Sequence, residues 1–457
     1  MRRGVLVAAL AAGVATAAPA QAPRALSPRL APLAARPDTS ALVWVIAQPR
    51  ADLDELAARV AAAGGRVRHL SRFVHAVSAV VPSGALAGLA RLRDVRRVQA
   101  VGLYVRPSEP PPDDGRTGGR ADGAAPGRAP AGGVAGGGAA DTLYGAGTWA
   151  YRLLNVPAVH ALGLRGTGVR IAILDAGFNT LHPLLAGATI VAQHDFVYDT
   201  PGSDSVVRDQ PGEVQGEMAH GTATWSLIGA NAPGTLYGVA PGARFLLAKT
   251  EFGPTETRVE EDHWVAAVEW AESLGVDIIS SSLGYLTFDN GFSYTFAQLN
   301  GDFAVTTIAA DSAASRGTLV VVSAGNSGPA SRTIGTPADA DSAVAVGAID
   351  SLGVLTGFSS RGPTGDGRIK PEVIAPGRAV TVAARDVGTT VGSGTSFAAP
   401  LVAGLAALVQ GARLGRPAVN LRRGLLAASN RRTSPSDSLG WGIPDALKLL
   451  AFPTGLV

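Results

Sequence analysis

The hydrophobic pattern along the 457-residue chain changes character twice. Between 41 and 106 it is short-period. "ALVWVIAQP" (41–49) reads as a strand, and "DLDELAARVAAAG" (52–64) spaces its apolar residues as a helix does. "RVRHLSRFVHAVSAVVP" (66–82) supplies more strand, "SGALAGLARLRDV" (83–95) a second helix opened by a serine cap, and "RRVQAVGLYV" (96–105) a closing strand. The order strand, helix, strands, helix, strand predicts a small α+β, ferredoxin-like sandwich. From 107 to 141 the pattern vanishes into Gly, Pro and Ala with scattered charge. Such a stretch cannot bury apolar surface and is expected to be a flexible linker open to proteolysis. From 142 to 453 continuous apolar runs alternate with alanine-rich helical stretches, as in "GVRIAILDAG" (168–177), "RFLLAKT" (244–250), "VDIISSSLG" (276–284), "TLVVVSAGN" (318–326) and "SAVAVGAID" (342–350). Strands that do not alternate are buried on both faces. They predict an α/β domain with a parallel sheet flanked by helices.

The N-terminus has its own layout. "MRRGVLVAALAAGVATAAPAQAP" runs from two arginines through an apolar stretch to small residues, which is the pattern of a secretory signal peptide over 1–20. The alternative is a membrane anchor, but the run is short of the roughly 20 apolar residues a span needs. No later segment reads as long and apolar enough to span, and no stable membrane anchor is expected. Residues 21–40, rich in Pro, Ala and Arg, read as a short linker. The expectation is therefore an exported, extracellular protein.

Composition adds limits. With 46% hydrophobic and 16% charged residues the chain can build a large core. A net charge of +3, with no cluster of basic residues interleaved with aromatics, gives no footing for a nucleic-acid partner. There is no cysteine, so stability must come from packing, helped at most by a bound ion.

In parallel sheets, ligands sit at the carboxyl ends of the strands, and several of these strands end in polar residues. Asp175 directly follows four apolar residues; a carboxylate there is costly unless paired, and its alternative role is an N-cap. His220 stands in "GEMAHGTATWSLIG" (216–229), before an apolar helix-like run, in a setting that the other six histidines lack. Asn326 closes a strand inside a glycine-rich turn, where Asn-Ser-Gly alone would be only a turn signal. Ser396 opens the apolar run "SGTSFAAPLVAGLAALV" (393–409). Alone it reads as an N-cap, yet a helix N-terminus also stabilises an oxyanion and would aim a nucleophile into a cleft. Gly392 and Gly394 would let a substrate backbone come close. Pro400 falls early enough in the helix to remove at most a marginal hydrogen bond.

Taken as a set, Ser396 can attack a carbonyl while His220 accepts its proton and Asp175 holds the imidazole. Asn326 could donate to the developing oxyanion. The order Asp, His, Ser is the order found in subtilisin. An esterase of the α/β-hydrolase class is excluded, because it needs the nucleophile first and a Gly-x-Ser-x-Gly elbow.

On these residues the chain resembles the subtilisin-like serine proteases, the subtilases. "IAILDAG" is similar to the aspartate motif, "HGTATWSLIGA" to the histidine motif, "VVSAGNSGP" to the oxyanion motif and "GTSFAAPLVAGLAAL" to the serine motif. "YGVAPGARFLLAKT", "FSSRGPTGDGRIKPEVIAPG" and "GWGIPDALKLL" follow in the family's order. The resemblance implies a subtilisin-like peptidase domain over 142–453, with Asp175, His220 and Ser396 catalytic and Asn326 in the oxyanion hole. It implies that a substrate strand lies along Ser282, Leu283 and Gly284. Ser323, Ala324 and Gly325 would then line the pocket for the residue before the cut. Leu283, Tyr285 and the run to Phe292 suggest that neighbouring pockets are apolar.

The resemblance further implies that 41–106 is an inhibitory propeptide and folding aid, removed by cleavage in the linker. The partners would be protein or peptide substrates and the chain's own propeptide. No cofactor is required for the chemistry. Structural calcium is common in the family, but no ligand set can be assigned; the acidic residues of 199–217 could serve, but their charge pattern favours a solvated loop. Two departures stand out: Ala176 follows the aspartate where Thr or Ser is usual, and Ala223 replaces the second histidine of the usual His-Gly-Thr-His. Neither removes a group with a chemical role. The competing reading is a catalytically silent subtilase fold used for binding or scaffolding.

Overall fold

A computed structural model describes residues 25–27, 30–34, 36, 39–101, 142–198, 207–210, 214–412 and 418–453. The signal-peptide and linker expectations for 1–20 and 107–141 lie outside the described residues. The chain divides into two compact units, one comprising Met1–Arg68 and Val77–Ala100, the other His69–Ala76 and Val101–Val457.

The smaller unit contains the strands Ser40–Ala47, Arg66–Ser71, Ala76–Pro82 and Val95–Ala100 and the helices Leu53–Ala62 and Leu86–Leu89. In the four-stranded sheet, Arg66–Ser71 lies at one edge, then Ala76–Pro82, Ser40–Ala47 and Val95–Ala100. The last two pair antiparallel, Val45 opposite Val98. Asp52 caps the first helix by accepting from Asp54 N and Glu55 N at 2.8 and 3.0 Å, satisfying donors the helix itself leaves free. This is the ferredoxin-like order expected. The linker expected over 21–40 is corrected in part. Leu26 and Leu30 are buried in this unit's core, and Ser27 N bonds Val98 O at 2.9 Å, so these described residues pack onto it. Apolar residues among prolines were enough to bury it.

The larger unit is built on a seven-stranded sheet in the order Val373–Pro376, Val344–Ile349, Leu319–Ser323, Ile278–Ser281, Arg170–Asp175, Arg244–Lys249, Thr189–Asp195. Every neighbouring pair is parallel. The predicted apolar runs thus form a sheet sealed on both sides. Ile171, Ile173, Val321 and Val346 join one core cluster with the helices Met218–Gly229 and Thr395–Ala412. The helices Val259–Ser273 and Val305–Ser315 pack on each other and on the sheet but contribute nothing to that cluster, which puts them on the opposite face. The helix Thr395–Ala412 crosses the sheet over its strands and is buried at nearly every position. By length and composition it is apolar enough to cross a membrane, contrary to the expectation that no later segment is, but 83% of it is buried inside the protein. It is a core helix.

Candidate active site

Four polar residues meet at the carboxyl edge of the sheet, each delivered by a different element. Asp175 is the last residue of its strand and fully buried. Such a carboxylate needs donors, and it has them. Ala176 N donates to Oδ1 at 2.8 Å and Thr224 Oγ1 to Oδ2 at 2.8 Å, while His220 Nδ1 lies 2.6 Å from Oδ1. A carboxylate can only accept, so the imidazole carries its proton on Nδ1 and keeps Nε2 free as a base. Ala176 needs no hydroxyl for its part, because its backbone N–H makes the contact.

His220 stands in the first turn of the helix Met218–Gly229. Gly221 lets that helix come close: a Cβ there would run into the Gly177 carbonyl oxygen and sit 3.0 Å from Asp175 Cβ. Burial opposes a charged imidazole, but the charge and hydrogen bond of Asp175, with a further contribution from Glu251, outweigh it and raise the His220 pKa above the usual value. Ala223, where a second histidine is usual, is buried in the core instead.

Ser396 is the second residue of the helix Thr395–Ala412 and only 9% exposed. It is not a helix cap. Its hydroxyl donates to Ser282 O at 3.2 Å, and Ser282 Oγ returns a bond to Ser396 O at 2.7 Å. The second bond explains Pro400. Proline has no N–H for the carbonyl four residues earlier, which is that of Ser396, and the Ser282 hydroxyl takes the vacant place. Ser282 therefore supports the start of the Ser396 helix through its side chain.

Asn326 is fixed by Thr395, whose N and Oγ1 both donate to Asn326 Oδ1, at 2.9 and 3.0 Å. A Cβ on Gly394 would stand 3.5 Å from Asn326 Nδ2 and 3.8 Å from its Oδ1. Gly394 has a φ of 155° and only ordinary contacts where a Cβ would stand. At Gly392 a Cβ would meet the Phe397 ring at 2.5 Å, so this glycine makes room for a core side chain rather than for a substrate. The Phe397 ring in turn lies 5.9 Å from that of His220.

Leu283 and Gly284 continue from the strand Ile278–Ser281, and Ser323 Oγ donates to Leu283 O at 3.3 Å, tying Ser323, Ala324 and Gly325 beside them. The apolar pockets expected from Tyr285 to Phe292 need correction. Tyr285, Phe288, Phe292 and Tyr294 form a buried aromatic cluster. The Tyr285 hydroxyl donates to Glu251 Oε1 at 2.6 Å. Sequence reasoning passed over Glu251, Thr224 and Thr395. The first pairs with a tyrosine 34 positions away, and nothing local marks it. Of the acidic stretch 199–217, positions 199–206 and 211–213 lie outside the described residues. Asp209 accepts from Met218 N at 3.0 Å, and Glu217 is buried against Lys249 Nζ at 2.9 Å, which is a structural pair rather than a solvated loop. Among the described residues no three His, Asp or Glu side chains are arranged to hold a metal ion.

A carboxylate-held imidazole and a hydroxyl at a helix N-terminus thus lie on the carboxyl edge of a parallel sheet in an α/β fold. The family model for subtilases matches residues 166–442, and the chain belongs to the subtilase family. It is 34% identical to Subtilisin E of Bacillus subtilis over 263 residues, which are 56% of this chain and 59% of that protein. Against the Subtilisin of Bacillus pumilus it is 33% identical, covering 56% of this chain and 82% of the relative. Subtilisin BL of Lederbergia lenta is 36% identical over 266 residues, 57% of this chain and 83% of the relative. The chain thus spans between about three fifths and four fifths of these relatives. Among solved structures, the prenylagaramide maturation protease PagA superposes with a TM-score of 0.50 at 24% identity, over 66% of this chain and 99% of that one, a likeness of fold.

Proposed function

We propose that the chain is a secreted serine endopeptidase, made as a zymogen that processes itself in the segment 107–141. The observation that carries the reading is the 2.6 Å contact between Asp175 and His220, together with a buried serine in the first turn of the core helix. In the reaction, Ser396 Oγ turns from Ser282 O towards His220 and attacks the scissile carbonyl, and its proton passes to Nε2. The carbonyl oxygen becomes an oxyanion within reach of Asn326 Nδ2 and of the N–H groups at the start of the Ser396 helix. His220 then hands the proton to the leaving amine. The acyl-enzyme is hydrolysed by water activated in the same way. Asp175 stays ionised throughout and stabilises the imidazolium. The substrate strand pairs with Ser282–Gly284, and the side chain before the cut enters between these residues and Ser323–Gly325. Residues 41–106 act as folding aid and inhibitor until removed.

The test is the intact mass of the purified wild type beside Ser396→Ala, both made without residues 1–20. Wild type is expected to begin between about 107 and 145, and the variant to stay full length, as loss of the nucleophile requires. If both stay full length, self-processing is wrong, and a casein assay on a sample cut in the linker decides between a dormant enzyme and a silent fold. Equal clipping of both would assign the cut to other proteases.

A further inference from the structure

Beside Asp175 the protein gathers more carboxylates than it neutralises. Glu251, Glu256, Glu260 and Glu261 lie in the connection from the strand Arg244–Lys249 to the helix Val259–Ser273 and in that helix's first turn. Two of them have donors from the backbone or from a cation. Glu260 accepts from Phe252 N and Thr257 N at 3.2 and 2.7 Å, bonds that offset only part of the rise that burial and the charges of Glu251 and Glu256 impose on its pKa. Glu261 accepts from Arg258 Nε at 2.8 Å and Tyr294 Oη at 2.5 Å. Arg258 is engaged there, its guanidinium also 4.8 Å from the Phe292 ring centre.

Glu251 and Glu256 have no such cation. Glu251 is 8% exposed, and its donors, Tyr285 Oη at 2.6 Å and Thr250 Oγ1 at 3.3 Å, both fall on Oε1. Glu256 Oε1 is enclosed and has no hydrogen-bond partner. After burial, what raises its pKa is the charge of Glu251, Asp289 and Glu261, all of its own sign. A buried carboxylate oxygen with neither donor nor counter-charge is costly, and an arriving cation would relieve it.

Sheet order decides where that cation would come from. A substrate strand along Ser282–Gly284 lies off the end of Ile278–Ser281, with Leu319–Ser323 on one flank and Arg170–Asp175, then Arg244–Lys249, on the other. Successive side chains of an extended strand point to opposite sides. If the residue before the cut faces Ser323–Gly325, the second and fourth before it face the flank of Asp175, His220 and Glu251. Glu251 is close enough to His220 for each charge to act on the other.

We infer that Glu251, backed by Glu256, selects a substrate with a basic side chain, guanidinium or ammonium, at the second or fourth residue before the scissile bond. The inference rests on the endopeptidase reading. It also bears on self-processing: the stretch 107–141 carries Arg116, Arg120 and Arg128 and no lysine. The mature chain should therefore begin two or four residues after one of these arginines.

The test uses the processed enzyme and fluorogenic peptides carrying Arg or Leu at each of the four positions before the cut, compared by kcat/KM. Arg should be preferred by about tenfold or more at the second or fourth position, and Glu251→Gln should bring that ratio close to one, a change of ~1.4 kcal/mol. A wild type that cuts all peptides alike, or prefers Arg only at the first or third position, overturns the inference and leaves the endopeptidase reading intact. So does a Glu251→Gln enzyme with its preference unchanged. If that variant does not fold, the wild-type panel and the N-terminus of the mature chain still decide. If no peptide is cut at all, both readings fall.

Discussion

Two neighbouring strands of the same sheet lead to acids, one at its last residue and one two residues beyond its end, and the two acids are treated differently. Asp175, at the end of Arg170–Asp175, is fully buried and has a donor on each oxygen, from Ala176 N, His220 Nδ1 and Thr224 Oγ1. Glu251, just past Arg244–Lys249, is nearly as buried, but its donors crowd one oxygen and its closest companions include another acid. Burial alone therefore says little about what a charge does. The supply of donors separates a carboxylate that orients a neighbour from one that waits for a ligand. The pKa of Glu251 follows the same logic. Burial pushes it up, the hydrogen bonds from Tyr285 and Thr250 pull it back, the Asp175 charge adds to the rise, and it comes to about 7.

The comparison is broken most severely from the Asp175 side. Asp175→Asn keeps the size but leaves one acceptor oxygen for the donors that Asp175 holds on two, and it offers His220 a neutral partner whose amide N–H favours the wrong tautomer. We expect kcat/KM to fall by about four orders of magnitude with the folded state retained. Stopped assays beside a thermal melt would check both halves, and a loss below about tenfold would mean that Asp175 is only a structural cap. The selectivity change in Glu251→Gln is the intermediate effect, roughly tenfold and visible only in the ratio of basic to neutral substrates.

The smallest expected effect lies in the pH profile. His220 must be neutral to act as a base. Its raised pKa means that activity is complete only at higher pH and is lost as pH falls through that value, placing the acid limb above 6.5, the usual imidazole value. Glu251 contributes to the rise, so Glu251→Gln should move the acid limb to lower pH. An unmoved or rising limb would show that the two groups are not electrically coupled in solution.

Much of this was legible in the sequence for a physical reason. A parallel sheet writes itself as continuous apolar runs, and a polar residue at the end of such a run, as at Asp175 and Asn326, is conspicuous because it is costly. The helix of Ser396 was legible by the same token. What escaped depends on contacts between distant segments. Gly392 looked like an approach for substrate and is room for Phe397. Tyr285 and Phe292 looked like pocket walls and turn inward around Arg258 and Glu251. Leu26 and Leu30 sat in a stretch whose prolines suggested a linker, but two large apolar side chains found a core to join. Composition describes a segment, while burial depends on what the rest of the chain brings to it.

The central claim is that Ser396 is a nucleophile activated by His220 and Asp175. Its most direct test is to treat the processed protein with a fluorophosphonate and map the adduct by peptide mass. The account predicts one adduct per chain, on the peptide carrying Ser396, formed slowly or not at all in Asp175→Asn. An adduct elsewhere, or none on a folded wild-type protein, would contradict it and favour a silent fold used for binding.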